Sequence, residues 1–305
     1  MSDPAPTSSS TDSHRPSRFL LTLSLLAMLI LWSLNYVAGK VALRQLEPFT
    51  LGSFRVELAA LLILPFYLAR RSRNSVRLRD IWLLSYLGLL LCLNQFCFTV
   101  GLNYTSSGHS SVILAFGPII VLLLAVAMKL EALTPAKIIG MSLSLIGVIV
   151  LETEQGLFTH SPFLAGDLIT LAGTTIFSFY AVFGKKAARE FDTLTMNTFN
   201  YLAGAILFLP IAVRQGIRLD WGSIGWAAWS GLFYMAAISS VVAYMLFYWA
   251  LRHMTASRVT AINYFQPLGA ILVSAVFLAE HPTRNLLAGG ALVILGVYLA
   301  ERGTA

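Results

Sequence analysis

The feature that most constrains this chain is a succession of apolar runs, each about twenty residues long, separated by short stretches of charge, proline or glycine. A bilayer core about 30 Å thick requires roughly 20 apolar residues per helix. The mean hydropathy is +0.75 and only 11% of the residues are charged, against about 25% in soluble domains. We therefore expect membrane-spanning helices, at about residues 19–41, 50–69, 81–102, 107–129, 135–152, 166–186, 194–213, 230–251, 256–279 and 283–301.

The second half of the sequence repeats the first. The end of the first half aligns without a gap to the end of the second at an offset of 149 residues, and the upstream helices align at an offset of 145. The matched pairs include Pro118 and Pro267, Glu131 and Glu280, Gly140 and Gly289, Gly147 and Gly296, and Lys40 and Lys185. Chance similarity between apolar helices would not align prolines, glycines and glutamates in order. We therefore predict two five-helix units, at residues 18–152 and 166–302, joined by an external linker at 153–165.

The odd number of helices in each unit determines their relative orientation. Because five crossings end on the opposite side, the second unit is inverted relative to the first about an axis in the membrane plane. With the N-terminus inside, fifteen of the 21 lysines and arginines face the cytoplasm, five face outward and one lies within a helix. The positive-inside rule then places both termini in the cytoplasm. The sequence thus predicts an all-α inner-membrane protein with ten transmembrane helices as two inverted five-helix repeats.

The remaining sequence features exclude several other classes of protein. Residues 1–17 are rich in serine, threonine and proline, and we expect a disordered cytoplasmic tail. The net charge of +7 follows from the basic inner loops, so we expect no nucleic-acid partner. The two cysteines lie five residues apart in one apolar run, which suits neither a disulfide framework nor a metal site. We expect no metal, no cofactor and no catalytic residue.

Several motifs occur in a fixed order along the chain. The first helix carries Trp-Ser-Leu-Asn-Tyr at 32–36 followed by Lys40, the second has Arg55 near its start, and the fourth leads through Pro118 to Glu131-x-x-Thr. Over about residues 19–302 this set resembles the EamA family of the drug/metabolite transporter superfamily, including its W-x-x-N-[FY]-x-x-x-K motif. The resemblance implies a ten-helix transporter that moves small metabolites or drugs, commonly outward. It does not indicate the substrate.

Two charged residues, Arg55 and Glu57, lie within the second predicted helix. A charge at the centre of a membrane helix costs about 2.5–3.5 kcal/mol on insertion scales, so it needs a partner or a wet cavity. Because Arg55 and Glu57 are two residues apart, their side chains point about 200° apart around the helix, so at most one of them points into a central cavity. Arg55 is a candidate anion or substrate site, and Glu57 is a candidate proton-coupling group. The alternative is that both reach the outer interface or pair with neighbouring helices.

Paired prolines mark the middle of the fourth and ninth predicted helices. Pro118 and Pro267 each remove a backbone hydrogen bond, and broken helices at matching positions in two halves indicate a transporter site near the midplane. The alternative is a structural kink satisfied by adjacent helices. Polar residues near these breaks and on the first, third and eighth helices complete the candidate substrate site: Asn35, Tyr36, Asn94, Gln95, Tyr244, Asn263, Tyr264 and Gln266.

The function predicted from these features is secondary transport, with export of small organic metabolites or drugs by alternating access and possible proton coupling. The expected partners are a small-molecule solute and the lipid bilayer, and the sequence leaves a monomer and a homodimer both open. An intramembrane enzyme acting on lipid or isoprenoid substrates is the main alternative, although no acidic cluster or metal-ligand pair lies in the predicted helices. A non-transporting membrane scaffold is another alternative.

Overall fold

The computed structural model describes residues 16–70, 76–105, 110, 113–152, 164–266, 268–269 and 284–302. Within these ranges the secondary structure is helical, with no strand. The predicted tail and external linker lie largely outside the described residues, and the boundaries of the two units stay predictions. In chain order the helices are α1 (Arg18–Ala42), α2 (Pro48–Ala69), α3 (Leu78–Tyr104), α4 (Gly117–Ala127), α5 (Pro135–Glu152), α6 (Leu164–Glu190), α7 (Thr193–Arg218), α8 (Trp226–His253), α9 (Ala256–Thr260, continued by a 3-10 turn, Ala261–Phe265) and α10 (Arg284–Arg302).

Among the described residues, α1, α2, α3, α6, α7 and α8 are each long and apolar enough to cross a membrane. Shorter apolar helices cover Ile113–Ala127, Pro135–Val150 and Ala288–Ala300. The predicted all-helical membrane fold is therefore confirmed, whereas the arrangement of ten crossings as inverted repeats stays a prediction. Several helices run past their predicted ends. For example, α6 continues through Lys185 and Lys186 to Glu190, because lysine and alanine are good helix formers and a charge alone does not end a helix.

Helices of the first half pack mainly against helices of the second. α3 lies against α6 and α7, α2 lies against α7, α1 lies against α8, and α5 lies against α10. The C-terminal end of α2 and the N-terminal end of α7 are also joined by an ion pair between Arg70 and Asp192. Burial alone would raise the pKa of Asp192. Hydrogen bonds from Thr195 and Arg70 together lower it by more than burial raises it, so the pKa lies below its ordinary value.

Lysine side chains cap two helices at equivalent positions in the two halves. Lys40 Nζ donates to the carbonyl oxygens of Leu102 at 2.7 Å and Thr105 at 3.1 Å, at the end of α3. Its repeat mate Lys185 donates to the carbonyls of Leu251 and Met254, at the end of α8. The last carbonyls of a helix lack intrahelical partners and carry partial negative charge. The two lysines therefore stabilise these helix ends by donating the hydrogen bonds that water would otherwise supply to the carbonyl groups.

Glu131 connects the loop after α4 to the start of α9. Its carboxylate accepts hydrogen bonds from Lys137 Nζ at 2.9 Å, from the backbone nitrogen of Ser257 at 3.2 Å and from the Ser257 hydroxyl. The side chains of Glu131 and Lys137 are only 4% and 6% exposed. This buried charge pair joins the loop after α4 to α5, and the same carboxylate accepts a backbone hydrogen bond from the first turn of α9.

The glycines matched in the repeat alignment form a close contact between α5 and α10. A Cβ atom added at Gly140 would lie 2.4 Å from the Gly296 oxygen and the Ala300 nitrogen, and one at Gly147 would lie 2.7 Å from the Gly289 oxygen. Ser144 Oγ donates to the Val293 oxygen at 3.3 Å. The small residues thus bring two helices of the same chain into backbone contact, as small residues do in membrane bundles.

We expect Gly140→Leu to lower the free energy of unfolding by about 3 kcal/mol, because the new side chain has to push α10 away from α5. The thermal unfolding midpoint of the purified protein in detergent measures this loss. Ile139→Ala is the control on the same helix, because Ile139 is 59% exposed on the lipid-facing side. Equal midpoints for the two variants would contradict a tight contact at Gly140.

Candidate substrate-binding site

A central cavity lies between α1, α2, α3, α6, α8 and α9. Its volume is about 70 Å³, which exceeds the roughly 10–15 Å³ that one water needs. In this conformation it has room for several waters or for the polar part of a small solute. The predicted site residues that line it are Asn35, Tyr36, Arg55, Asn94, Gln95, Tyr244, Asn263 and Gln266.

The other predicted functional residues lie elsewhere. Tyr264 is 1% exposed and packs with the residues that join α5 and α10, away from the cavity lining. Glu57 lines a separate groove between α2, α7 and α8. Pro118 lies in the first turn of α4, directly after a turn at Phe116. Pro267 lies outside the described residues.

Arg55 supplies the one charge among the described residues that line the cavity. Its side chain is buried, with 3% exposure. Nε donates to Ser240 Oγ at 2.9 Å and Nη2 donates to Ser239 Oγ at 3.3 Å. Within the described ranges no carboxylate forms an ion pair with this guanidinium. Hydroxyl groups orient a guanidinium but do not neutralise it, so the cavity carries a net positive charge.

A chain of hydrogen bonds holds the residues around Arg55 in place. Ser240 Oγ, which accepts from Arg55, donates to Gln95 Oε1 at 3.2 Å. Gln95 Nε2 then donates to the Tyr201 hydroxyl at 2.7 Å, and that hydroxyl donates to the Ser240 carbonyl at 3.1 Å. Both ends of the Gln95 amide are engaged, so this residue positions Ser240 and Arg55, while one N–H and one lone pair of the amide remain for a solute.

The two serines that contact Arg55 lie in an irregular part of α8. Residues Tyr234–Val242 form a π-helix between two α-helical segments. π-Helical segments are rare and occur frequently at functional sites, since the wider turn reorients the side chains that follow. Here the π-helix includes Ser239 and Ser240, and Tyr244 follows it at the cavity. The sequence of this segment carries no pattern that distinguishes a π-helix from an α-helix.

Irregular backbone also adjoins the cavity at α4 and α9. Before Pro118 the helix is interrupted at Phe116, and the repeat-equivalent segment in α9 is the 3-10 turn Ala261–Phe265. Around the α9 turn, Tyr36 donates its hydroxyl hydrogen to Gln266 Oε1 at 3.2 Å, and Gln266 Nε2 donates to Asn263 Oδ1 at 3.0 Å. These polar side chains connect α1 to the irregular part of α9 at the cavity wall.

Aromatic side chains form the apolar wall of the cavity. Trp32 lies 5.3 Å from Tyr244 and 6.3 Å from Phe177 between ring centroids, and Tyr36 lies 5.2 Å from Phe98 in an edge-to-face arrangement. Such pairs are rigid and bury large apolar areas. The cavity therefore combines one cationic group and several amides with an aromatic surface.

The repeat-equivalent positions in the second half do not form a matching site. Arg55 aligns with Asn200, and Asn35 aligns with Tyr180. Asn200 Nδ2 donates to the hydroxyls of Tyr180 at 3.1 Å and Tyr248 at 3.0 Å, and all three side chains are fully buried. Tyrosine rings fill this space, so the candidate site is one-sided.

Sequence reasoning missed seven residues that line the cavity. They are Trp32, Phe98, Leu114, Thr170, Thr174, Phe177 and Ser239. Trp32 lies one helical turn before Tyr36 on the same face, which could have indicated its position. The others are ordinary residues of membrane helices and carry no such signal. No group of three or more histidine, cysteine or acidic residues that could hold a metal occurs in the described part of the chain.

Comparisons with known proteins agree with this architecture. The model of the EamA-like transporter family matches residues 19–153 and 164–301. The crystal structure of another protein, 20% identical in sequence, superposes with a TM-score of 0.76 over 93% of this chain and 99% of that one, which relates the two folds.

Related sequences carry transporter names. An uncharacterized transporter from Archaeoglobus fulgidus is 28% identical over 91% of this chain and 96% of its own length. The uncharacterized transporter YvbV from Bacillus subtilis is 26% identical over 92% and 91%. A probable terminal-alkyne amino-acid exporter from Streptantibioticus cattleyicolor is 25% identical over 66% of each chain. With both halves matched by the family model, the chain belongs to the EamA-like transporter family of the drug/metabolite transporter superfamily, whose members are multi-pass membrane transporters of small solutes and not enzymes.

Proposed function

We propose that the protein is a secondary transporter that exports small amphipathic solutes bearing a carboxylate. The observation that carries this proposal is Arg55, a buried guanidinium that faces the central cavity and has no acidic partner among the described residues. A charge retained in the membrane needs compensation. A solute carboxylate supplies it and accepts two parallel hydrogen bonds from a guanidinium.

Amino acids with apolar side chains fit the rest of the cavity. The Oδ1 atom of Asn35 is buried and has no hydrogen-bond partner among the described residues, so it is free to accept a hydrogen bond from a solute ammonium group. The aromatic wall around Trp32 suits an apolar side chain. The name of the relative from Streptantibioticus cattleyicolor, a probable amino-acid exporter, supports the same class.

Alternating access of ten helices, arranged as two inverted repeats with both termini in the cytoplasm of an inner-membrane protein, is part of the proposal. Repeat mates pack against each other in the pairs α2 with α7 and α5 with α10, as expected about a two-fold axis. Lys40 and Lys185 make equivalent contacts in the two halves. In such transporters one repeat moves against the other around a site near the midplane.

We expect Arg55→Gln to weaken binding of carboxylate solutes by about 30-fold or more, because a hydrogen bond to a charged group contributes about 1.5–3 kcal/mol. Isothermal titration of the purified protein in nanodiscs with apolar L-amino acids, and with their carboxamides, measures the effect. The carboxamides lack the negative charge, so the substitution should hardly change their binding. Arg55→Lys keeps the charge but loses the planar guanidinium, so its affinity for carboxylate solutes should lie between that of the wild type and that of Arg55→Gln.

Arg79→Gln is the matched control, since the Arg79 side chain is 79% exposed. It lies at the start of α3 and does not line the cavity. Unchanged amino-acid binding by Arg55→Gln would contradict the carboxylate site. Unchanged efflux of every amino acid from cells that lack or overproduce the protein would contradict the proposed export.

Coupling to protons through Glu57 is a separate prediction. Because Glu57 lines a groove away from the central cavity but lies two residues from Arg55 on the same helix, its protonation can affect the cavity through movement of α2 or through the change in charge. We expect Glu57→Gln to abolish transport driven by a pH gradient in proteoliposomes while leaving solute binding within about twofold. Transport by this variant that still follows the pH gradient would remove Glu57 as the proton carrier.

The orientation is also testable. A reporter domain that is active only in the cytoplasm should be active when fused to the C-terminus. A reporter that is active only outside the cytoplasm should be inactive there, because the basic loops keep that end inside. The reverse pattern would contradict the proposed topology.

A further inference from the structure

We propose that a second site, on the lipid-facing side of the bundle, binds hydrophobic organic cations with Glu57 as their counter-charge. The site is a groove of about 890 Å³ between α2, α7 and α8, with Trp221 at its outer end. It shares no lining residue with the central cavity. The inference concerns a different ligand and a different surface, so it goes beyond the proposed carboxylate export.

The walls of this lateral groove are almost entirely apolar and partly open to lipid. On α2 the lining includes Leu61, which is 67% exposed, and on α8 it includes Trp226, which is 85% exposed. In a membrane, these exposed apolar surfaces contact acyl chains. A ligand therefore reaches the groove from within the bilayer, and its own surface has to be largely hydrocarbon.

Aromatic faces stack at the outer end of the groove. Phe54 and Trp221 lie 5.8 Å apart between ring centroids at an interplanar angle of 23°, and Trp221 and Trp229 lie 5.6 Å apart at 13°. The face of an aromatic ring carries the negative part of its quadrupole and attracts cations, with tryptophan the strongest case. Trp221 stacks on both neighbouring rings, so the ring faces that this stack leaves uncovered are the ones that would favour an organic cation over an anionic molecule.

Glu57 supplies the charge that such a cation would neutralise. It is the one charged residue among the described residues that line the groove. Its Oε1 atom is buried and accepts no hydrogen bond from the described residues. No lysine or arginine among these residues forms an ion pair with Glu57. An unpaired carboxylate in apolar surroundings is costly. A bound cation would compensate it, so charge complementarity selects the occupant.

The depth of Glu57 distinguishes among cations. Nine residues separate it from Pro48 at the start of α2, which corresponds to about 13 Å along the helix axis. A phospholipid headgroup stays at the interface and does not reach this depth. A cation whose charge is shielded by phenyl or alkyl groups can enter the hydrocarbon region, so quaternary phosphonium or ammonium compounds with large apolar substituents fit the groove.

Tetraphenylphosphonium is the probe that tests this site. We expect radiolabelled tetraphenylphosphonium to bind the full-length protein in nanodiscs above the level of empty nanodiscs. Glu57→Gln should weaken this binding about tenfold, because it removes the charge but keeps the shape of the side chain. Trp229→Leu should weaken it about as much through loss of the aromatic face. Tetraphenylborate, the anion of the same shape, should show no loss of binding in Glu57→Gln.

Arg55→Gln separates this site from the central cavity. It should leave tetraphenylphosphonium binding unchanged while it weakens binding of carboxylate solutes, so either proposal can fail without the other. Thermal unfolding midpoints confirm that each variant is folded. Equal phosphonium affinity in the wild type and Glu57→Gln would overturn the inference, as would tetraphenylborate binding with the same Glu57 dependence. Displacement of the probe by uncharged lipid alone would identify the groove as an acyl-chain contact and also overturn it.

Discussion

The bilayer leaves no water inside the bundle to satisfy polar groups, and the structure depends on meeting this requirement within the chain. Helices satisfy most of the backbone. Buried hydroxyls return to their own helix, as Thr99 does to the Gln95 carbonyl and Thr174 does to the Thr170 carbonyl. At helix ends, lysine side chains take the place of water. Two polar side chains at the cavity keep unused capacity: Arg55 has no acidic partner among the described residues, and Asn35 Oδ1 accepts no hydrogen bond from them.

Arg55 links the fold to its chemistry. Two serines of the π-helix and the Gln95 amide hold its side chain, but none of these groups is charged. The chain thus preorganises a cationic group, which in the proposed function lowers the cost of ordering the site when a carboxylate solute neutralises it. The second half fills the equivalent space with tyrosines, so the duplicated fold contains one such group and not two.

Much of this architecture could be predicted from the sequence because membrane helices have a strong compositional signal. The apolar runs identified the helices, and the repeat alignment singled out the glycines that join α5 and α10. The candidate cavity residues came from polar groups near paired prolines, since polar residues in membrane helices are few. Tyr264 lies away from the cavity because Asn263 and Gln266 share one face of α9, and the residue next to Asn263 is turned about 100° from it around the helix axis. The π-helix and the threonines of α6 at the cavity have no sequence signal, because they depend on how the helices pack.

The glycine contact between α5 and α10 has a mechanical consequence. Backbone atoms of the two helices touch at several levels, and a register shift of either helix would drive side chains into the opposing backbone. Sliding is therefore blocked, whereas rotation about the line of contact leaves it intact. Since α5 ends the first predicted unit and α10 ends the second, the proposed alternating access would place the hinge along this line and the widest movement on the helices farthest from it.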